Sequence, residues 1–217
     1  IILFSLFAAT LTGQLLSRRH LPFLYWSVIV STSTAGTTMS DFMSRTLLGT
    51  PEDAKYMAAS AILLTLLLTT LAIWRFTEKS LSVTSITTRR GEVFYWTAIL
   101  FSNTLGTALG DFLSDDSGLG FAGSAALVGG CIALIAAAYF FTRLSRIALF
   151  WFAFVLTRPF GAEMGDVLTK THDQGGLGFG TIGSSIVLAA ILIAVIIFTT
   201  RRSATADPLP PNPPAIP

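Results

Sequence analysis

Seven apolar runs, each at or near the length of a membrane-crossing helix, follow one another with only short polar breaks between them. They are Ile1–Ser17, Phe23–Ser44, Tyr56–Phe76, Val93–Ser114, Phe121–Thr142, Ile147–Thr169 and Phe179–Thr200. A bilayer core of about 30 Å takes about 20 apolar residues of helix. Inside it every backbone N–H and C=O must be satisfied by the protein, which leaves helices or closed barrels, and runs this long without alternation are helices. Only 12% of the residues are charged, about half the usual share of a soluble domain. That is too little polar surface to wrap a water-soluble globule. The expected fold is an all-α integral membrane protein.

The basic residues give the spans a direction. Arg18, Arg19, Arg75, Lys79, Arg89, Arg90, Arg143, Arg146, Arg201 and Arg202 fall on one side of this topology. Arg45, Lys55 and Lys170 fall on the other, with Glu52, Asp53, Asp115, Asp116 and Asp173. The first side is expected to be cytoplasmic, with the C-terminus inside. The first run is short, and the chain begins with Ile inside it. It is expected to be the second half of an earlier unit whose first half lies upstream.

Three of the runs start alike. Leu24-Tyr25-Trp26, Phe94-Tyr95-Trp96 and Leu149-Phe150-Trp151 are aromatic triplets, expected as anchors at the cytoplasmic interface. Ten residues after each Trp stands a glycine (Gly36, Gly106, Gly161), and five further on an aspartate (Asp41, Asp111, Asp166). A Leu-Gly loop and a second helix rich in small residues follow each time. The organisation is therefore parallel repeats of two-helix transmembrane hairpins, related by an axis along the membrane normal. A partial unit at 1–20 precedes complete units at 21–80, 92–146 and 147–202, giving seven spans where a complete set would have eight. The Pro-rich stretch 203–217 is expected to be a disordered cytoplasmic tail.

Fifteen residues at about 1.5 Å each put the aspartates roughly 22 Å from the cytoplasmic interface, in the outer third of the membrane. A carboxylate at such depth costs several kcal/mol unless paired, hydrated or cation-bound, so three at one register point to use. An aspartate snorkelling at a helix end is the plainer alternative. Thr37 and Thr38 share the face of Asp41; Thr107 shares that of Asp111, with Asn103 one step further; Glu163 shares that of Asp166, with Arg158 beyond it. Carboxylates with hydroxyl and amide oxygens suit a hard divalent cation such as Mn²⁺ or Mg²⁺. Proton coupling is also open. Arg158 is either a partner for Glu163 or Asp166 or a tethered counter-charge, and Pro159 beside it should kink the helix. Stretches such as Ala58-Ala59-Ser60, Gly123-Ser124-Ala125 and Gly183-Ser184-Ser185 are expected to be packing seams. Cys131, alone, excludes an internal disulfide and is expected to pack. No phosphate-cradling loop, nucleophile–base pair or basic nucleic-acid patch occurs, so neither an enzyme nor a nucleic-acid binder is expected, and no resident cofactor.

The strings F-Y-W-T-A-I-L-F-S-N-T-L-G-T-A-L-G-D-F and F-V-L-T-R-P-F-G-A-E-M-G-D-V resemble a bacterial family of membrane-anchored proteins carrying a repeat of unknown function, over residues 21–200. The resemblance implies four repeats, of which this chain lacks the first acidic helix, and a branch of the family implicated in manganese export. The expectation is a bacterial inner-membrane exporter of a divalent cation, most plausibly Mn²⁺, with Asp41, Asp111, Asp166 and Glu163 as ligands. Thr37, Thr38, Thr107, Asn103 and Arg158 would support them, and the motif glycines would let the helices approach. The alternative is a non-transporting accessory subunit docked in a larger membrane complex. The expected partners are lipid, a divalent cation, and a membrane complex or a second copy.

Overall fold

The computed structural model describes residues 2–17, 22–47, 55–83, 86 and 88–205. Among them there are seven α-helices and no strand. The helices are α1 (Ile2–Leu16), α2 (Pro22–Phe42), α3 (Lys55–Glu78), α4 (Arg89–Asp111), α5 (Gly120–Phe141), α6 (Arg146–Thr169) and α7 (Gly180–Thr205). Each falls on one of the seven apolar runs. Helices α3, α5 and α6 are long and apolar enough to cross a membrane by length and composition. The chain forms two compact units, 1–167 and 168–217. In the second, Ser184 of α7 donates to Gly180 O (2.7 Å) and accepts from Thr169 (3.2 Å). The expected tail is helical to Thr205, and its remainder lies outside the described residues.

Helix α4 is the hub of the first unit. Thr88 caps its N-terminus, accepting from Gly91 N–H at 2.9 Å, and Glu92 in the first turn suits the positive end of the helix dipole. Ser102, Asn103, Thr104, Leu105 and Gly106 are all buried in succession. Five consecutive residues exceed one turn of 3.6, so the helix is covered on every side there. On one side Leu105 and Ala108 pack with Leu63, Leu67 and Trp74 of α3 and Trp151 of α6. On another, Trp96 and Ile99 pack with Val28 and Ala35 of α2 and Phe7 of α1.

The motif glycines set the contacts between repeats. A Cβ on Gly36 would lie 2.8 Å from Cβ of Asn103 and 3.1 Å from the backbone N of Thr104, so α2 meets α4 nearly backbone to backbone. A Cβ on Gly106 would run into the Arg158 side chain and come within 3.2 Å of Pro159 Cδ, so this glycine makes room on α4 for side chains of α6. Asn103 and Arg158 each stand three residues before the glycine of their own helix. One geometric rule therefore joins successive units, as small residues at helix contacts allow. A Cβ on Gly161, at the same register in α6, would meet nothing within 4 Å.

Two expectations are corrected. Trp96 (1% exposed) and Trp151 (5%) are core residues, while Trp26 is exposed. Tyr25 lies 5.6 Å from the Trp96 ring, and Trp74 lies 5.8 Å from the Trp151 ring. Neighbouring helices cover the later two tryptophans, so they are no interfacial belt. Cys131 is exposed on α5 and does not pack. Helix α6 remains helical through Pro159. The small-residue stretches do bury Ala59, Ser60, Ser124, Ala125 and Ser184.

The glycine contacts predict an asymmetry between two identical substitutions. Gly106→Ala should destabilise the protein by about 1–3 kcal/mol through overpacking, whereas Gly161→Ala should stay within about 0.5 kcal/mol of wild type. Thermal unfolding of the detergent-solubilised variants measures both, and equal losses would contradict the shared register.

Candidate functional site: a carboxylate cluster at the ends of the repeat helices

Two of the three motif aspartates lie where regular helix gives way to a wider turn. Helix α2 ends one residue after Asp41 and continues as a π-helical turn, Met43–Leu47; α4 ends at Asp111 and continues as Phe112–Asp116. Such turns recur at functional positions because they break the regular carbonyl ladder. In both, a serine three residues past the aspartate donates to the carbonyl just before it: Ser44 to Ser40 O (2.7 Å) and Ser114 to Gly110 O (3.1 Å). Thr169 holds the matching place after Asp166. This hydroxyl is a site feature that the reading of the sequence missed, although G/S-D-x-x-S/T stands in all three units.

The expected carboxylates fall into two overlapping sets within electrostatic reach, centred on Asp111 and Glu163. Asp111 lies within electrostatic reach of Asp115, Asp41, Arg45 and Asp166. Glu163 lies within reach of Asp166, Asp111 and Asp115. Glu163 is 2% exposed, and its Oε2 has no hydrogen-bond partner. Its other oxygen lies 3.1 Å from where a Cβ on Gly110 would stand, so the glycine before Asp111 is what admits the Glu163 carboxylate against α4. Asp41 differs. Its side chain is 46% exposed and pairs with Arg45 one turn on, at 3.7 Å, the kind of surface ion pair that contributes little. Among the described residues, no group of three His, Cys, Asp or Glu side chains stands in a metal-holding arrangement. The carboxylates are gathered but do not yet converge on one point.

The supporting residues divide in two. Thr37, Thr38 and Thr107 donate back along their own helices, to Ser33 O (3.2 Å), Thr34 O (2.9 Å) and Asn103 O (3.3 Å), and keep only lone pairs for a ligand. Arg158 and Asn103 belong to a separate cluster. Arg158 Nε donates to Asn103 Oδ1 at 2.9 Å, and its Nη2 donates to Ser33 Oγ. The expected pairing of Arg158 with Glu163 or Asp166 is therefore corrected. Glu163 is five residues on, about 140° round the helix, and Asp166 is eight residues on, about 12 Å along the axis.

Ser33, Asn103 and Arg158 each stand seven residues after their Trp and three before their Gly. Register-equivalent residues of three repeats thus meet at one place. Tyr25 and Tyr95, likewise equivalent, bring their hydroxyls to 3.4 Å. Ser33 was absent from the sequence-based set because Ser, Asn and Arg share no chemistry; only their position unites them.

The same three units are matched by a family model described as Repeat of Unknown Function (DUF347), at residues 24–80, 94–145 and 149–205. No curated protein and no solved structure matches the chain. The Arg158 cluster predicts a coupled energetic effect. Asn103→Leu should cost about 1.5–3 kcal/mol by removing an acceptor from a charged donor. In the double variant with Arg158→Leu the two losses should fall short of their sum by at least about 1 kcal/mol. A double-mutant cycle of unfolding measures this, and strictly additive losses would show that the bond contributes nothing.

Proposed function

The chain belongs to the DUF347 repeat family, and from that premise we propose that it is a bacterial inner-membrane transporter that exports a divalent metal cation, Mn²⁺ first among the candidates. The observation that carries the reading is the Glu163 carboxylate: buried, with one oxygen unpartnered, beside Asp111 and Asp166. A buried carboxylate in that state needs a proton, a water or a cation, and oxygen donors of this type suit hard divalent ions. The membrane location is supported by the three long apolar helices and by heavily exposed apolar side chains, among them Phe141 (88%) and Ile182 (79%). Such surface is not sustained in water. The basic helix ends support a cytoplasmic C-terminus.

In this mechanism Glu163 and Asp111 are the central ligands, Asp166 completes the set, and Asp41 with Arg45 stands at the outer mouth. A small inward movement of α6 against α4, at the level of Gly110, brings Glu163 and Asp111 onto one ion. Arg158 stays bound to neutral acceptors, so it positions α6 and does not pair with Glu163.

One observation favours a second reading, a non-transporting accessory subunit: Gly161 is exposed on α6, and a Cβ added there would meet nothing within 4 Å, which leaves a small-residue position open to a partner helix. The two readings separate experimentally. Export predicts that Glu163→Gln and Asp111→Asn each slow Mn²⁺ efflux at least about tenfold, as loss of metal-site groups commonly does, and raise cellular manganese. Asp41→Asn should have the smallest effect of the four. Whole-cell metal analysis and efflux from loaded cells measure this. Unchanged manganese in Glu163→Gln and Asp111→Asn cells, with loss of a co-purifying membrane protein in Gly161→Trp cells, would favour the accessory reading instead.

A further inference from the structure

On the side of α4 away from α2, helices α3, α4 and α6 leave a groove of about 690 Å³ that the carboxylate site does not use. It runs from Ala61 to Arg75 along α3, about 21 Å at the helical rise, with Leu105 on its floor and Trp151 and Val155 along its wall. Its surface is hydrocarbon almost throughout, and its one charged group is the Arg75 guanidinium at the end where the basic residues collect. Arg75 is exposed and has no ion-pair partner among the described residues. That end is built: Trp151 Nε1 donates to Leu81 O at 3.2 Å, fastening the segment after α3 beside the groove.

We propose that this groove is a binding site for an anionic phospholipid of the cytoplasmic leaflet, its acyl chain along α3 and its phosphate on Arg75. The proposal rests on the membrane reading above but not on metal transport. One leaflet's hydrocarbon is about 15 Å deep, so the groove holds an acyl chain over that whole depth. A partner helix fits less well. Helices meet in membranes through small residues and close backbones, whereas much of this wall is Leu, Phe and Trp around open space. A flexible chain fills such space, and an unpaired cation at the headgroup level selects negative lipid.

The test uses the full chain extracted from membranes and examined by native mass spectrometry after exchange into phosphatidylglycerol or phosphatidylcholine. Wild type should retain phosphatidylglycerol in preference to phosphatidylcholine. Arg75→Gln should lose that preference, with anionic lipid held about fivefold more weakly, the loss expected for one basic residue at the surface. Ala72→Trp, which fills the groove from an exposed position, should reduce retention of both lipids while leaving the melting temperature unchanged. Equal retention of the two lipids by wild type, unaltered retention in both variants, or a dimer that forms in place of lipid binding would overturn the proposal. Recovery of the chain outside the membrane fraction would overturn the membrane reading itself, and so is distinguishable.

Discussion

The Arg158 guanidinium ties α6 to α4 and α2 through two neutral acceptors, Asn103 Oδ1 and Ser33 Oγ, and the arrangement of the repeats depends on that tie. Arg158 is half-buried, and a charge drawn in among helices is costly unless its donors are satisfied. Here the acceptors come from the same register position of two other repeats. The tie works only if the helices come close, and Gly36 and Gly106 permit that by lacking the Cβ that would strike Asn103 and Arg158. The aspartates, five residues further along, inherit their common level from the same register.

Because the guanidinium is bound to neutral groups, it does not compensate Glu163. Asp41 has Arg45, but Glu163 is buried beside other acids with one oxygen unpartnered. A purely structural role would be served as well by Gln, at less electrostatic cost. The π-helical turns after α2 and α4 add to the picture, since they place Asp41 and Asp111 where the helix widens. In the proposed transport reading, this gathered but unconverged set of acids is a site that binds and releases an ion in alternation.

Much of this was legible before any coordinates. Long apolar runs without alternation specified the helices, and the Trp–Gly–Asp spacing exposed the repeat. Residue type misled where environment differs between units: Trp26 is exposed, whereas Trp96 and Trp151 are enclosed by neighbouring helices. Charge misled at Arg158, whose nearest acids in sequence lie round the helix or too far along it. Ser33, Asn103 and Arg158 could not be grouped by chemistry, only by register. The seclusion of Glu163 depends on Gly110 of another helix, a contact that no single-helix pattern contains.

The central claim is that the Glu163–Asp111 region takes up a divalent cation. Titration of the purified full chain with Mn²⁺, followed by the loss of the free-ion electron paramagnetic resonance signal, tests it most directly. Saturable binding by wild type that disappears in Glu163→Gln and persists in Asp41→Asn is the predicted result. Binding absent from wild type, or unchanged in Glu163→Gln, would contradict the account.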